Sequence, residues 1–431
     1  MKNEKMRKEE RGITLVALVV TIVVLLILAG VSLNLVIGNE GILTRSKEAA
    51  DKYGKQAENE QQGLNDVEDW MDEQFEGTGI QKVTVNKKAT RNGTINGQDP
   101  NTNNPIIPKG YIPINAGSAT WGDGSSSPFQ SSVDNGLVIK DDNNNEWVWI
   151  PVEANTLSSM YTTSTKKNGE IISGGVGITT KIYTNSATIG KTGDTTTMSR
   201  STTNTEEWRE PDLIVGIDSA SYDKTESYYK TILGYDSPKA MAEAFTTDYA
   251  NMIASIQKYG GFYIGRYELS NEGVQKGKAT LTSTNWYNLY KKCTTLNASD
   301  KVESKMIWGI QWDLACDFIS KKGEQKSITN SNTWGNYADS TGKAAVMNGT
   351  TKMYGNKQVT GFSEYWKANN IYDLAGNCWE WTQGADNTGY RVGRGGRCGR
   401  NGSGYPASDR VNGSANNGGD STCSRPTLII K

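Results

Sequence analysis

The chain contains no histidine. That absence removes the imidazole base of a Ser-His-Asp or Cys-His centre, and with it the commonest zinc ligand. Cysteine is scarce: five residues (Cys293, Cys316, Cys378, Cys398 and Cys423) stand in 431 positions. They are too few and too scattered for a disulfide scaffold, and the odd number leaves at least one unpaired within the chain. No Cys-x-x-Cys pair is present, so the spacing gives no reason to expect a structural zinc site. The formal net charge of −1 lacks the global basic field that a nucleic-acid partner would call for, and none is expected. The most informative absence is local. Residues 384–430 hold no Lys, Glu, Gln, Met or Trp, although those types make up 92 of the 431 residues. A random window of that length would hold about ten of them. The same window holds six of the chain's 13 arginines. A polar surface loop explains the lack of Met and Trp, but not a segment rich in Arg and empty of Lys, Glu and Gln. The five missing types are those that a codon ending in a pyrimidine cannot encode.

What is present divides into an apolar N-terminal run and an aromatic, polar body. Mean hydropathy is −0.59 with 12 Trp and 20 Tyr, and Asn, Gly, Ser and Thr favour turns over long helices. Residues 13–38 carry no charged side chain, which is long enough for a bilayer-spanning helix. Lys2, Lys5, Arg7, Lys8 and Arg11 precede it and favour a cytoplasmic N-terminus, with the remainder outside the cell. Leu43, Ala50, Ala57, Leu64 and Met71 then recur every seven residues, the pattern of an amphipathic stalk helix over 42–75.

A charged leader ending in Gly12, followed at once by Ile13-Thr-Leu-Val, resembles the type IV prepilin signal. The resemblance implies cleavage between Gly12 and Ile13 by a prepilin peptidase, a membrane anchor over 13–38, and type IV pilin subunits as partners. Ala17 stands where that family carries a Glu implied to pair with a neighbouring subunit, so the departure bears on fibre assembly more than on cleavage. The expected organisation is a leader (1–12), a transmembrane and stalk helix (13–76), a linker or small β region (77–135), and a large domain (136–431).

Within the large domain, Glu146-Trp-Val-Trp-Ile150 and Phe262 to Leu269 read as strands, and Trp312 to Ile319 has helical spacing. Ile371 to Trp381 reads as a turn followed by an aromatic strand. Phe262-Tyr-Ile-Gly-Arg-Tyr-Glu268, Asp373-Leu-Ala-Gly-Asn-Cys-Trp-Glu-Trp381 and Arg391-Val-Gly-Arg-Gly-Gly396, in this order, resemble the formylglycine-generating enzyme (sulfatase-modifying factor) family. That resemblance implies a loop-rich variant of the C-type lectin fold. The expected fold class is therefore α+β: an N-terminal transmembrane and stalk helix, then a lectin-like domain. The family's enzymes hold copper with two cysteines just after Arg-Gly-Gly. Here Cys398 alone follows closely and Cys423 comes 25 residues later, so no catalytic residue is carried over and no enzyme is expected. Trp308, Trp312, Trp379 and Trp381 could stack on a sugar, but such aromatics are more often core. Asp373 and Asn377 leave a structural calcium open; no other cofactor is expected.

A restricted C-terminal segment on a lectin-like fold also resembles the variable proteins of diversity-generating retroelements. In those systems copying errors at template adenines randomise Asn codons to any residue except the five absent here. The implied variable segment is 384–424, with Ser424 to Lys431 and Pro406-Ala-Ser408 as fixed scaffold. Candidate ligand-binding positions are Gly393, Arg397, Cys398, Gly399, Arg400, Asn401, Gly404, Tyr405, Asp409, Val411, Asn412 and Asn416. Val411 and Cys398 are expected to be exposed, as samples of a library. The function expected is that of a surface-displayed adhesin- or receptor-like protein for an external protein or glycan. The alternatives are a minor pilin or pseudopilin and, behind it, a copper oxidase.

Overall fold

The computed structural model describes residues 80–114, 132–154, 228–236, 238–297, 301–385 and 391–431, with residue 299 and short stretches within 19–26, 52–56, 161–185 and 209–210. The chain divides into two compact units, Met1–Glu76 and Gly77–Lys431.

In the first unit the expected transmembrane helix is corrected. No helix among the described residues is long and apolar enough to cross a membrane. The cleavage site Gly12-Ile13 and the heptad positions of the stalk lie outside the described residues.

The second unit is built on two sheets with few helices. The first sheet runs Val302–Met306, Pro426–Ile430, Gly261–Gly265, Glu146–Pro151, Val138–Lys140 and Ile112–Pro113, each pair antiparallel. Its pleat divides the aromatics. Trp147 and Trp149 pack with Tyr263, Leu428 and Ile430 in one cluster, and Val148 and Ile150 with Phe262 and Ile264 in the other. This is the period of two expected of a strand, with the register Tyr263↔Trp149 and Ile264↔Val148 keeping like faces together. Both faces are covered, so the inner residues of Glu146–Pro151 are all buried. Residues 80–114 close one face through Val83, Ile95, Ile106, Ile107 and Tyr111. The Trp149 indole donates to the Thr102 carbonyl (3.1 Å), and the Tyr263 hydroxyl to that of Ile106 (2.9 Å). On the other face lie helices Pro238–Tyr259, Trp286–Thr294 and Gly309–Lys321.

The second sheet runs Arg410–Gly413, Arg391–Arg394, Trp379–Ala385, Arg209–Glu210, Thr180–Asn185 and Tyr161–Lys166. Thr422–Ser424 adds to Trp379–Ala385 in parallel. The restricted tail thus supplies three strands of this sheet before it crosses into the first. There Pro426–Ile430 sits between two neighbours as an interior strand.

Two buried ionic clusters fasten these crossings. Asp313, on Gly309–Lys321, accepts from both Arg394 and Arg410. Arg425 forks onto Glu380 with bonds of 2.9 and 2.6 Å and donates to the Gly265 (2.9 Å) and Tyr372 (2.8 Å) carbonyls. Removing one partner of such a pair strands a charge in a dry interior, at about 3–5 kcal/mol. Arg425→Met is therefore expected to lower the unfolding free energy by about that amount. Denaturant titration of the variant beside the parent checks it, and a loss below about 1 kcal/mol would contradict it.

Candidate functional site

The tail leaves the Arg391–Arg394 strand through two glycines that cannot be replaced without moving the backbone. Gly395 and Gly396 have φ of 86° and 76°, a region that L side chains seldom enter. A Cβ on Gly396 would lie 2.2 Å from the Tyr405 carbonyl oxygen, and one on Gly395 2.8 Å from that of Leu374. The chain reverses there into the loop 397–409.

That loop is held by its main chain. The Cys398 N–H donates to the Asn377 carbonyl (3.1 Å), and the Arg400 carbonyl accepts from Ala338 N–H (2.9 Å). The Gly402 carbonyl accepts from Ser331 N–H (2.9 Å), while its own N–H donates to Asp339 Oδ1 (2.7 Å). The Ala407 carbonyl accepts from the Trp312 indole (2.8 Å). Further on, Ala415 accepts from Trp286 N–H and Gly419 from Ser283 N–H. In each bond the tail contributes a peptide group and the body supplies the partner. Such bonds do not depend on which side chains the tail carries.

The side chains sort into two sets. Arg400, Asn401 and Asn412 are exposed, as are Gly399 and Gly404; Arg397, Tyr405, Val411 and Asn416 are half-buried. Gly393, Cys398 and Asp409 lie inward. Cys398 is 6% exposed, which corrects its expected exposure, because the Asn377 bond turns it toward the body. Val411 is half-buried for a similar reason: it lies in a strand register opposite Gly393, where the missing side chain leaves it room. On the outer face the Arg400 guanidinium lies 5.0 Å from the centre of the Tyr405 ring, and that ring meets Trp379 edge to face at 5.8 Å. Trp308, Trp312 and Trp381 are buried, whereas Trp379 is half-buried beside the loop. Trp379 is the contact residue that sequence reasoning placed in the core. Its i, i+2 spacing from Trp381 puts the two on one strand face, but only the structure shows that face running out from the core to the loop.

Buried charge sets the electrostatics. Burial pushes the Asp409 carboxyl up to about 7, against the opposing pull of the Arg410 backbone N–H and the Arg394 and Arg410 guanidiniums. Asp373 is pushed to about 7 by burial as well, with its Oδ2 accepting from Gly361 N–H at 2.7 Å. Asn377 Oδ1 accepts from Gln358 N–H and Asn336, and its Nδ2 donates to Glu268. Both ends of that amide are therefore engaged within the protein, an arrangement unlike the open carbonyl oxygens of a calcium site. Asp373 and Asn377 both have positive φ (58° and 55°) and serve as turn residues.

No family model matches the chain, and no curated protein matches it.

Two outcomes follow from this geometry. Gly396→Ala is expected to cost about 2 kcal/mol or more through the forced φ and the clash with Tyr405. Gly399→Ala and Gly404→Ala, with no neighbour closer than 3.6 Å, should stay within about 0.5 kcal/mol; melting curves of the three variants decide. The second concerns pH. An unfolded Asp titrates near about 3.9, whereas folded Asp409 titrates at about 7. Between these values the native state holds the extra proton, so this group's contribution falls as pH rises and the loss is complete above the folded value. Asp409→Asn should flatten the stability profile across that window and stabilise the protein at about pH 8. Denaturant midpoints at a series of pH values measure both effects.

Proposed function

We propose that this protein binds an external ligand through residues 384–424, a diversified surface of the retroelement type carried on a C-type lectin-like scaffold. The single observation that supports the reading most is the division of labour in the tail. Its peptide groups bond to the constant body, while the side chains of Arg397, Arg400, Asn401, Tyr405 and Asn412 reach at least partly into solvent. A surface built this way can change its side chains without changing its backbone. The residue alphabet of the segment supports the same reading, because it is the one that randomised adenine-adenine-pyrimidine codons leave. The charged leader ending at Gly12 supports display at the cell surface.

The ligand meets a ledge made by Trp379, Tyr405 and Arg400. Tyr and Arg give large, semi-rigid contact area at small entropic cost, and Asn401 and Asn412 adapt their hydrogen bonds. Protein and glycan ligands both fit such a surface. Catalysis is not part of the proposal; the tail's two thiols, Cys398 and Cys423, are buried.

The gene sequence tests the proposal. Codons for the outward positions are expected to end in C or T, and to differ between sibling copies at sites that are adenine in a nearby template repeat. Lys, Glu or Gln codons at Arg397, Arg400, Asn401, Tyr405 or Asn412 in siblings would overturn it.

A further inference from the structure

Three segments that are distant in sequence place sulfur and oxygen donors at one buried point. Glu268 ends the Phe262 to Glu268 motif, Cys378 directly precedes the Trp379–Ala385 strand, and Cys423 lies in the Thr422–Ser424 strand that pairs with it. A carboxylate oxygen and the two Sγ atoms all lie within 4.8 Å of one another. All three residues are fully buried, and both cysteines are free thiols. Among the described residues Glu268 forms no ion pair; the nearby guanidinium of Arg425 is forked onto Glu380 instead. The Glu268 carboxylate is held in place from behind. Its Oε2 accepts from Asn377 Nδ2 (2.6 Å) and the Thr280 hydroxyl (2.9 Å), while Oε1 accepts only the Cys378 N–H at 3.1 Å. Hydrogen bonds of this kind orient a ligating carboxylate in metal sites.

We propose that Glu268, Cys378 and Cys423 form a zinc site. A tetrahedral zinc ion takes sulfur at about 2.3 Å and carboxylate oxygen at about 2.0–2.2 Å. Its ligand atoms then stand about 3.8 Å apart at most, so the three donors need to draw in by roughly 1 Å. The mixed donor set favours zinc over copper(I), which prefers sulfur alone. On binding, each thiol gives its proton to solvent and becomes a thiolate ligand, and the carboxylate supplies the third anionic donor. No electron is transferred. Cys398, whose N–H is bonded to the residue before Cys378, borders the site on the side of the tail. The ion ties the end of the variable segment to two constant ones, and this assignment does not depend on what the outer face binds.

Cobalt(II), added without oxygen to the reduced full-length protein, tests the site. The expected result is a thiolate-to-cobalt charge-transfer band that saturates at one ion per chain and is bleached by one equivalent of zinc. Cys378→Ser and Cys423→Ser should each abolish it, whereas Cys293→Ser, which alters a buried thiol elsewhere, should retain it. Glu268→Gln keeps both thiols and the shape of the side chain; it should weaken binding at least about tenfold, with near-ultraviolet circular dichroism confirming that it is folded. No band in the parent, a band that survives Cys378→Ser, or an unchanged affinity in Glu268→Gln would overturn the assignment. So would a Cys378–Cys423 disulfide, found by non-reducing peptide mapping in protein purified without metal.

Discussion

Asp313 sits inside the protein with no solvent-accessible side-chain surface and holds two guanidiniums from the tail, Arg394 and Arg410. Arg425, equally buried, is forked onto Glu380 of the Trp379–Ala385 strand. Five charged groups of the body and tail therefore depend on finding one another as the chain folds, since each would be stranded without its partner. Buried ion pairs seldom add much net stability over a well-packed apolar core, but losing half of one is costly. The effect here is to fix where the C-terminal segment enters and leaves the second sheet, and how Pro426–Ile430 reaches the interior of the first. The loop between those fixed points inherits a defined backbone.

The same segment therefore carries two kinds of arginine. Arg394, Arg410 and Arg425 are structural and buried; Arg397 and Arg400 lie toward solvent. Composition alone merges them into one basic, small-residue tail. Once they are separated, the outer set shrinks to a few side chains around Tyr405 and Trp379, on a loop held by peptide hydrogen bonds. Under the proposed function, pinning by main-chain groups would let the residues of the loop change while its shape persists. The Arg-Gly-Gly turn belongs to the same logic, because its positive φ values bring the chain back over the body in a short span.

Local pattern made much of this legible in the sequence. Alternating aromatics marked strands at 146–150 and 262–269, where the structure has Glu146–Pro151 and the shorter Gly261–Gly265, and helical spacing over 312–319 marked part of Gly309–Lys321. Non-local facts were hidden. Glu380 stands between two tryptophans, and nothing nearby in sequence announces Arg425, 45 residues on. Asp409 looked like a sampled surface residue but faces inward beside two arginines. Cys378 and Cys423 share no spacing motif, because strand pairing rather than sequence brings them together. At the N-terminus, a hydropathy run long enough to span a bilayer is a compositional fact, and no helix among the described residues is long and apolar enough to cross a membrane.

The central claim is that the tail's backbone is constant while its outer side chains are free to vary. A display library that randomises residues 391–425 with pyrimidine-ending codons, selected only for protease resistance and then sequenced, measures this directly. The expected result is near-free substitution at Arg397, Gly399, Arg400, Asn401, Gly404, Tyr405 and Asn412, beside strict retention of Arg394, Gly396, Arg410 and Arg425. Uniform tolerance along the segment, or retention of Arg400, Asn401 and Tyr405 as strict as that of Arg425, would contradict it.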